Sequence, residues 1–332
     1  QTPSQKQHVA LVQTLRADLY LRPENVLALS TSAIDSSSLL TLDDLPSDRL
    51  TTLGASFSLV DHNRLLPMFG DAPVAAIIDH HADEGFHLDA SPRIIKVVGS
   101  CSSLVVEYFG SVAPVPGPLA DLLLAAILID TQLKPTPEGK ATPTDLLSAE
   151  SLLPTSSLAS DNTVLALSSR TTSLLSSKAD VGWMDGRDLL RRDYKEYELV
   201  PWRYGLSTVP LSFSAWLEKG NDGWALVERD VEAWMKERKL SMAGVLTSFN
   251  ATSEKEGKKG KHQRELLLFV DDHRLASILD DIQKEPELKL EGWKGGNADV
   301  LGKQWRIWQQ GNARATRKQV APIIKRLVTA LL

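Results

Sequence analysis

Residues Ala75-Ala76-Ile77-Ile78 form an apolar run that stops at Asp79-His80-His81. Such a run reads as a buried parallel strand, and three side chains able to bind metal or protons stand where the strand would emerge at its carboxyl end. Successive strand residues point to opposite faces, so one core has no use for both adjacent histidines. Two other segments repeat the pattern. Ser56 to Val60 reads as a strand closing on Asp61-His62-Asn63, and Ile127-Leu128-Ile129 as one closing on Asp130. Helical stretches stand before and between them: Arg22 to Leu29, with Pro23 in its first turn, precedes the first, and Leu104 to Phe109, opened by Gly99-Ser100-Cys101-Ser102-Ser103, follows the triplet. Strands alternating with helices predict an α/β fold around a parallel, doubly wound sheet.

A lone acid at a strand end is commonly a helix cap. Three such ends, two carrying histidine, point instead to convergence on a shared divalent ion. Oxygen and imidazole donors suit Mn²⁺, Mg²⁺, Co²⁺ or Zn²⁺, and the lack of thiolate partners favours Mn²⁺ or Mg²⁺. The hydroxyl-rich Gly99 to Ser103 segment reads as a helix N-terminus open to an anion.

The 332 residues suffice for about two cores. The formal charge of −5 argues against a general nucleic-acid binder. A single cysteine, Cys101, excludes an internal disulfide. The longest apolar candidate for a membrane span, Leu119 to Ile129, is short and broken by Asp121, and Gln1 to Gln7 resembles no targeting segment, so a cytoplasmic location is expected. The character of the chain changes near Ser177 to Val181, which divides it into expected domains 1–178 and 179–332. Thr136 to Ser177 reads as one or two surface helices or a partly mobile insert. Beyond the boundary, Asp188 to Glu198 reads as a basic helix, Lys255 to Lys261 as a hairpin tip, and Gln319 to Leu332 as the closing helix. With the intervening strands, these features predict a smaller α+β domain with a mixed sheet.

Val60-Asp61-His62-Asn63, Ile78-Asp79-His80-His81, Gly99-Ser100-Cys101-Ser102-Ser103 and Asp130-Thr131 resemble, in order, the motifs of the DHH phosphoesterases. The nearest branch is the fungal exopolyphosphatases, with the prune proteins and family II inorganic pyrophosphatases as relatives. Asp188 to Tyr197 resembles the opening of the DHHA2 domain, and Thr316-Arg317-Lys318-Gln319-Val320-Ala321-Pro322 its terminal phosphate-binding signature. The resemblance implies hydrolysis of phosphoanhydride bonds, with polyphosphate or pyrophosphate as substrate and two Mn²⁺ or Mg²⁺ ions as cofactors. It implies Asp61 as the bridging carboxylate, His80 and Asp130 as ligands, Asp79 as their support, and His81 acting on the leaving phosphate. Lys195, Arg317, Lys318 and Arg192 would bind phosphate oxygens, with Lys195 close to the chemistry.

One departure bears on activity. The family opens with a strand carrying an Asp-x-Asp motif, and this sequence has none. Ala33-Ile34-Asp35 imitates it only superficially, with alanine in the first acidic place. Leu15 to Leu19 through Leu42 to Leu45 aligns better with the segment that follows that strand, so Asp35 is expected to be a loop or capping residue and the chain to start beyond the motif. Asp61, His80 and Asp130 suffice for one ion, so turnover is expected to be impaired. The alternative is a degenerate homologue that binds polyphosphate or a protein without turnover.

Overall fold

The computed structural model describes residues 8–45, 54–110, 114–250, 260–295 and 304–332. The Lys- and Gly-rich stretch expected as a hairpin tip lies outside them except for its last two residues. Chain contacts divide the protein into two compact units, 1–178 and 179–332.

The first unit begins with β1 (Leu11–Val12), α1 (Pro23–Thr31) and β2 (Leu40–Thr41), and β1 pairs with β2 in parallel. Then come β3 (Phe57–Val60), β4 (Val74–Asp79) and β5 (Arg93–Ile95), a parallel three-stranded sheet in that order. Helices follow: α2 (Cys101–Phe109), α3 (Gly117–Thr131), α4 (Pro143–Leu152) and α5 (Thr163–Ala179). The parallel α/β class expected from the sequence is therefore present. The carboxyl half of β4, Ile77 to Asp79, is buried on both faces, as parallel strands are. Ile77 packs with Leu59, Leu65 and Phe69, whereas Ile78 packs with Val98, Cys101 and Leu104. The register pairs Val60 with Ile78, and the Asp61 N–H donates to the Ile78 carbonyl at 3.0 Å. Asp61 and the Asp79-His80-His81 triplet consequently leave the sheet at one level.

Two expectations need correction. Ile127 to Asp130 is not a strand but the last turn of α3. That helix is apolar on nearly every side, with Leu124, Ala125, Ile127 and Leu128 all buried, so it has no polar stripe to reveal its period. A short continuous apolar run cannot be told from a strand by periodicity alone. Nor is the 136–177 segment only a surface insert, because Ala149, Leu152 and Leu174 join the core formed by α3.

The second unit opens with α6 (Gly186–Arg191), β6 (Tyr194–Leu199) and β7 (Trp202–Val209). It continues through α7 (Phe213–Leu217), α8 (Trp224–Arg238), β8 (Met242–Thr247), β9 (Phe249–Asn250), β10 (His262–Gln263) and β11 (Glu265–Val270). It ends with α9 (Ile278–Gln283), β12 (Leu290–Gly292), β13 (Trp305–Gln310) and α10 (Arg317–Thr329). Six strands form a mixed sheet in the order β12-β13-β11-β8-β7-β6, in which only β7 and β8 run parallel. Leu206, Leu246, Leu268 and Trp308 face a core completed by Ile282, Val320 and Ile324 from α9 and α10. The basic helix expected over 188–198 stops at Arg191, and the rest is edge strand β6. There Tyr197 stacks on Tyr204 and Tyr194 packs edge-on against Trp234. These aromatic contacts, one to the neighbouring strand and one to α8, outweigh the local charge pattern.

Glu265 is the main polar group inside this unit, only 4% exposed. Its carboxylate accepts from the Phe213 N–H at 2.8 Å and the Trp293 Nε1–H at 2.7 Å. Replacing it leaves both donors buried and unpaired. Glu265→Leu is expected to lower stability by about 3 kcal/mol, read as a shifted urea midpoint of the full chain.

Candidate metal centre

Asp61 terminates β3 with φ of +68°, a left-handed conformation that costs a non-glycine residue free energy and turns its side chain out of the strand direction. It thereby reaches the triplet that ends β4. His80 Nε2 lies 3.2 Å from Asp61 Oδ1 and His81 Nδ1 lies 3.8 Å from it. One ligand atom from each of Asp61, His80 and His81 falls within 4.8 Å of the others. The tautomer of His80 shows what this arrangement suits. Its Nδ1 lies 3.1 Å from the Val98 carbonyl oxygen, a contact that only an N–H can satisfy. In the neutral ring Nε2 then carries a lone pair aimed at a carboxylate oxygen. Two acceptors face one another, and a proton or a cation must sit between them. The Asp61 carboxylate accordingly raises the His80 pKa above its ordinary 6.5, with desolvation opposing. The donor set and its orientation thus fit a divalent ion.

Asp79 stands behind this pair and is fully buried. Its Oδ1 accepts from the His80 and His81 N–H groups at 2.7 and 3.2 Å and from His81 Nδ1 at 2.8 Å, while Oδ2 accepts from Asn63 Nδ2 at 2.5 Å. Burial alone would push the Asp79 carboxyl up, but these donors hold it below its ordinary value. Asn63 also donates to the Ala82 carbonyl and accepts from the Glu84 N–H, which ties the loop after the triplet to the same carboxylate.

Asp130, at the end of α3, lies outside the three-residue cluster but close enough for its charge to act on His80. Ser100 Oγ donates to its Oδ2 at 2.7 Å. The protein packed around the carboxyl group raises its pKa, although part of the residue reaches solvent, and Ser100 and Lys178 oppose the rise. The start of α2, expected to be open to an anion, already holds one from this chain: Asp145 Oδ2 accepts from the Gly99 N–H and Oδ1 from the Ser100 N–H. Burial drives the Cys101 thiol up to about 12, so it stays protonated beside the centre.

In the second unit, Lys195 lies on β6 opposite Leu206, and its side chain is exposed. Arg317, the first residue of α10, donates to the Asp193 carboxylate at 2.8 Å, to the Asp193 carbonyl at 2.8 Å and to the Leu206 carbonyl at 3.5 Å. Strand pairing and these bonds therefore gather Lys195 and Arg317 at one end of the sheet. Lys318 is exposed at the N-terminus of α10, where the Thr316 hydroxyl caps its N–H. Arg192, just past α6, is only 6% exposed and enclosed within the unit.

The DHHA2 domain family matches residues 172–327. A Schizosaccharomyces pombe protein provisionally named exopolyphosphatase is 30% identical over 328 residues, spanning 93% of this chain and 79% of the relative. The chain belongs to the exopolyphosphatase family of DHHA2 proteins. Exopolyphosphatase PRUNE1 of Bos taurus is 26% identical over 99% of this chain and 70% of its own length. A Lactiplantibacillus plantarum protein provisionally named manganese-dependent inorganic pyrophosphatase is 28% identical over 53% of this chain and 60% of its own length. Among solved structures, one provisionally assigned as a family II inorganic pyrophosphatase of Methanococcus jannaschii shares the fold, with a TM-score of 0.59 at 19% identity, covering 92% of this chain and 88% of that one.

For this exopolyphosphatase-family chain, sequence reasoning singled out Asp61, Asp79, His80, His81 and Asp130 but assigned nothing to Asn63, Ser100 or Asp145 individually. Asn63 was legible only as part of Asp61-His62-Asn63. Asp145 sits in Thr142-Pro143-Thr144-Asp145, a helix-capping pattern that gives no hint of its reach to α2. His80 is expected to titrate above 6.5 in the metal-free chain, and Asp61→Asn to bring it back toward that value, as followed by imidazole NMR. The stabilisation from the pair is fully present below 6.5 and is lost as pH rises through the folded-state value.

Proposed function

We propose that this chain is a divalent-metal-dependent phosphohydrolase of exopolyphosphatase type that releases orthophosphate from the end of polyphosphate in the cytoplasm. The observation that carries the reading is the pair of facing acceptors, His80 Nε2 and Asp61 Oδ1, beside His81. Asp61 and His80 would hold the ion, with Asp130 as the further ligand from the end of α3, and Asp79 fixes the two histidines. Mn²⁺ or Mg²⁺ suits the oxygen and imidazole donors, and the name of the bacterial relative supports manganese. A bound divalent ion supplies an activated water and neutralises charge on phosphoryl oxygens.

The chain's own groups account for the rest. Asp79 bonds His81 Nδ1, so Nε2 is the nitrogen left to exchange a proton with a leaving phosphate. Lys195 and Lys318 offer point charges, and Arg317, oriented by Asp193, offers the N–H groups that Asp193 and Leu206 leave over for phosphate oxygens. Pyrophosphate presents the same anhydride oxygens and is the competing substrate within this reading.

A second reading is binding without turnover. Among the described residues one three-residue cluster is close enough for one ion, and no Asp-x-Asp segment occurs in the sequence.

Phosphate release from polyphosphate should require Mn²⁺ or Mg²⁺ and cease on chelation. His81→Ala is expected to lower kcat by about 100-fold. Lys318→Ala should raise KM, and rising salt should weaken binding of the polyanion in both proteins. Retention of polyphosphate on the chain with no metal-stimulated release would favour the binder.

A further inference from the structure

Asp145 is fully buried in the first turn of α4, yet five donors converge on it. Oδ1 accepts from the Ser100 N–H at 3.0 Å and the Ser103 hydroxyl at 2.6 Å. Oδ2 accepts from the Gly99 N–H at 2.9 Å and from the Thr142 N–H and hydroxyl, both at 2.7 Å. A carboxylate offers about four lone-pair directions, so this one is saturated. It caps its own helix through Thr142 and, at the same time, occupies the start of α2.

Capping α4 does not require the contacts to Gly99, Ser100 and Ser103. Ser100 makes the connection to the candidate centre. It is 1% exposed, its N–H donates to Asp145, and its hydroxyl donates to Asp130 Oδ2 at 2.7 Å. One residue thus joins two carboxylates from different helices, of which Asp130 is the one proposed above as a ligand. Gly99 permits the approach: a Cβ there would lie 2.5 Å from Thr131 Cγ2 and 2.8 Å from Asp145 Oδ2. Thr131 directly follows Asp130, so the Gly99 turn packs against the same helix end that carries Asp130.

We infer that Asp145 and Ser100 act as positioning residues, with Asp145 locking the first turn of α2 so that the Ser100 hydroxyl holds one oxygen of Asp130 and sets the direction of the other. The inference rests on the metal-centre reading above. Outer hydrogen bonds of this kind typically change metal affinity by about 10- to 100-fold.

The test is a double-mutant cycle on the full chain, with Mn²⁺ binding followed by calorimetry and metal-free melting followed alongside. Asp130→Asn serves as the reference. Ser100→Ala removes the hydroxyl and keeps the N–H, and is expected to weaken Mn²⁺ binding about tenfold with little change in melting. Asp145→Asn should weaken it comparably and also lower the melting temperature. The double variant should bind Mn²⁺ no worse than the weaker single variant, because both changes break one connection. Unchanged affinity in Ser100→Ala, or effects that multiply in the double variant, would overturn the inference while leaving the centre intact. Should Asp145→Asn fail to fold, the Ser100→Ala affinity alone decides. If Asp130→Asn binds Mn²⁺ like the parent, Asp130 is no ligand and the inference falls while the Asp61, His80 and His81 cluster stands; if the parent binds none, the metal-centre reading falls as well.

Discussion

A carboxylate sealed from water must find donors within the protein, because an unpaired charge there costs far more than a hydrogen bond returns. Asp79 meets that demand with the two N–H groups that follow it, the His81 ring and the Asn63 amide. Satisfying Asp79 bends the chain at the end of β4 so that His80 turns toward Asp61 and His81 stays beside it. The same carboxylate anchors the loop reached by Asn63. Much of the candidate centre therefore follows from how one buried charge is paid for.

The second unit orders its cationic residues by a comparable device. Arg317 starts α10, where Thr316 caps the first turn, and its guanidinium is held by the side chain and carbonyl of Asp193. Asp193 lies just before β6, so the strand that carries Lys195 and the helix that carries Arg317 and Lys318 are joined by one acid. A fork so restrained loses less freedom when it binds an anion than a mobile side chain does.

Sequence reading served best where local pattern and tertiary environment agree. Strand β4 is apolar because both its faces are covered, and its end is polar because it leaves the core, so the site was legible there. It failed where burial erases periodicity, as at Ile127 to Asp130, and where contacts across the sheet override a charge pattern, as at Tyr194 to Leu199. The hydroxyl-rich start of α2 was read as a place for an anion. The anion proved to be Asp145, 45 residues beyond Ser100, and no local spacing could announce that pairing.

By itself the amino-acid sequence determined the class of fold, the order of its motifs and the chemistry of the donors, because these depend on side-chain type and on periods of two or 3.6 residues. Only the tertiary structure decided which donors meet. It set the Val60–Ile78 register that levels Asp61 with the triplet, the His80 tautomer fixed by Val98, and the link from Asp145 through Ser100 to Asp130. Those outcomes depend on distances between segments far apart in the chain, and such distances exist only once the core has closed.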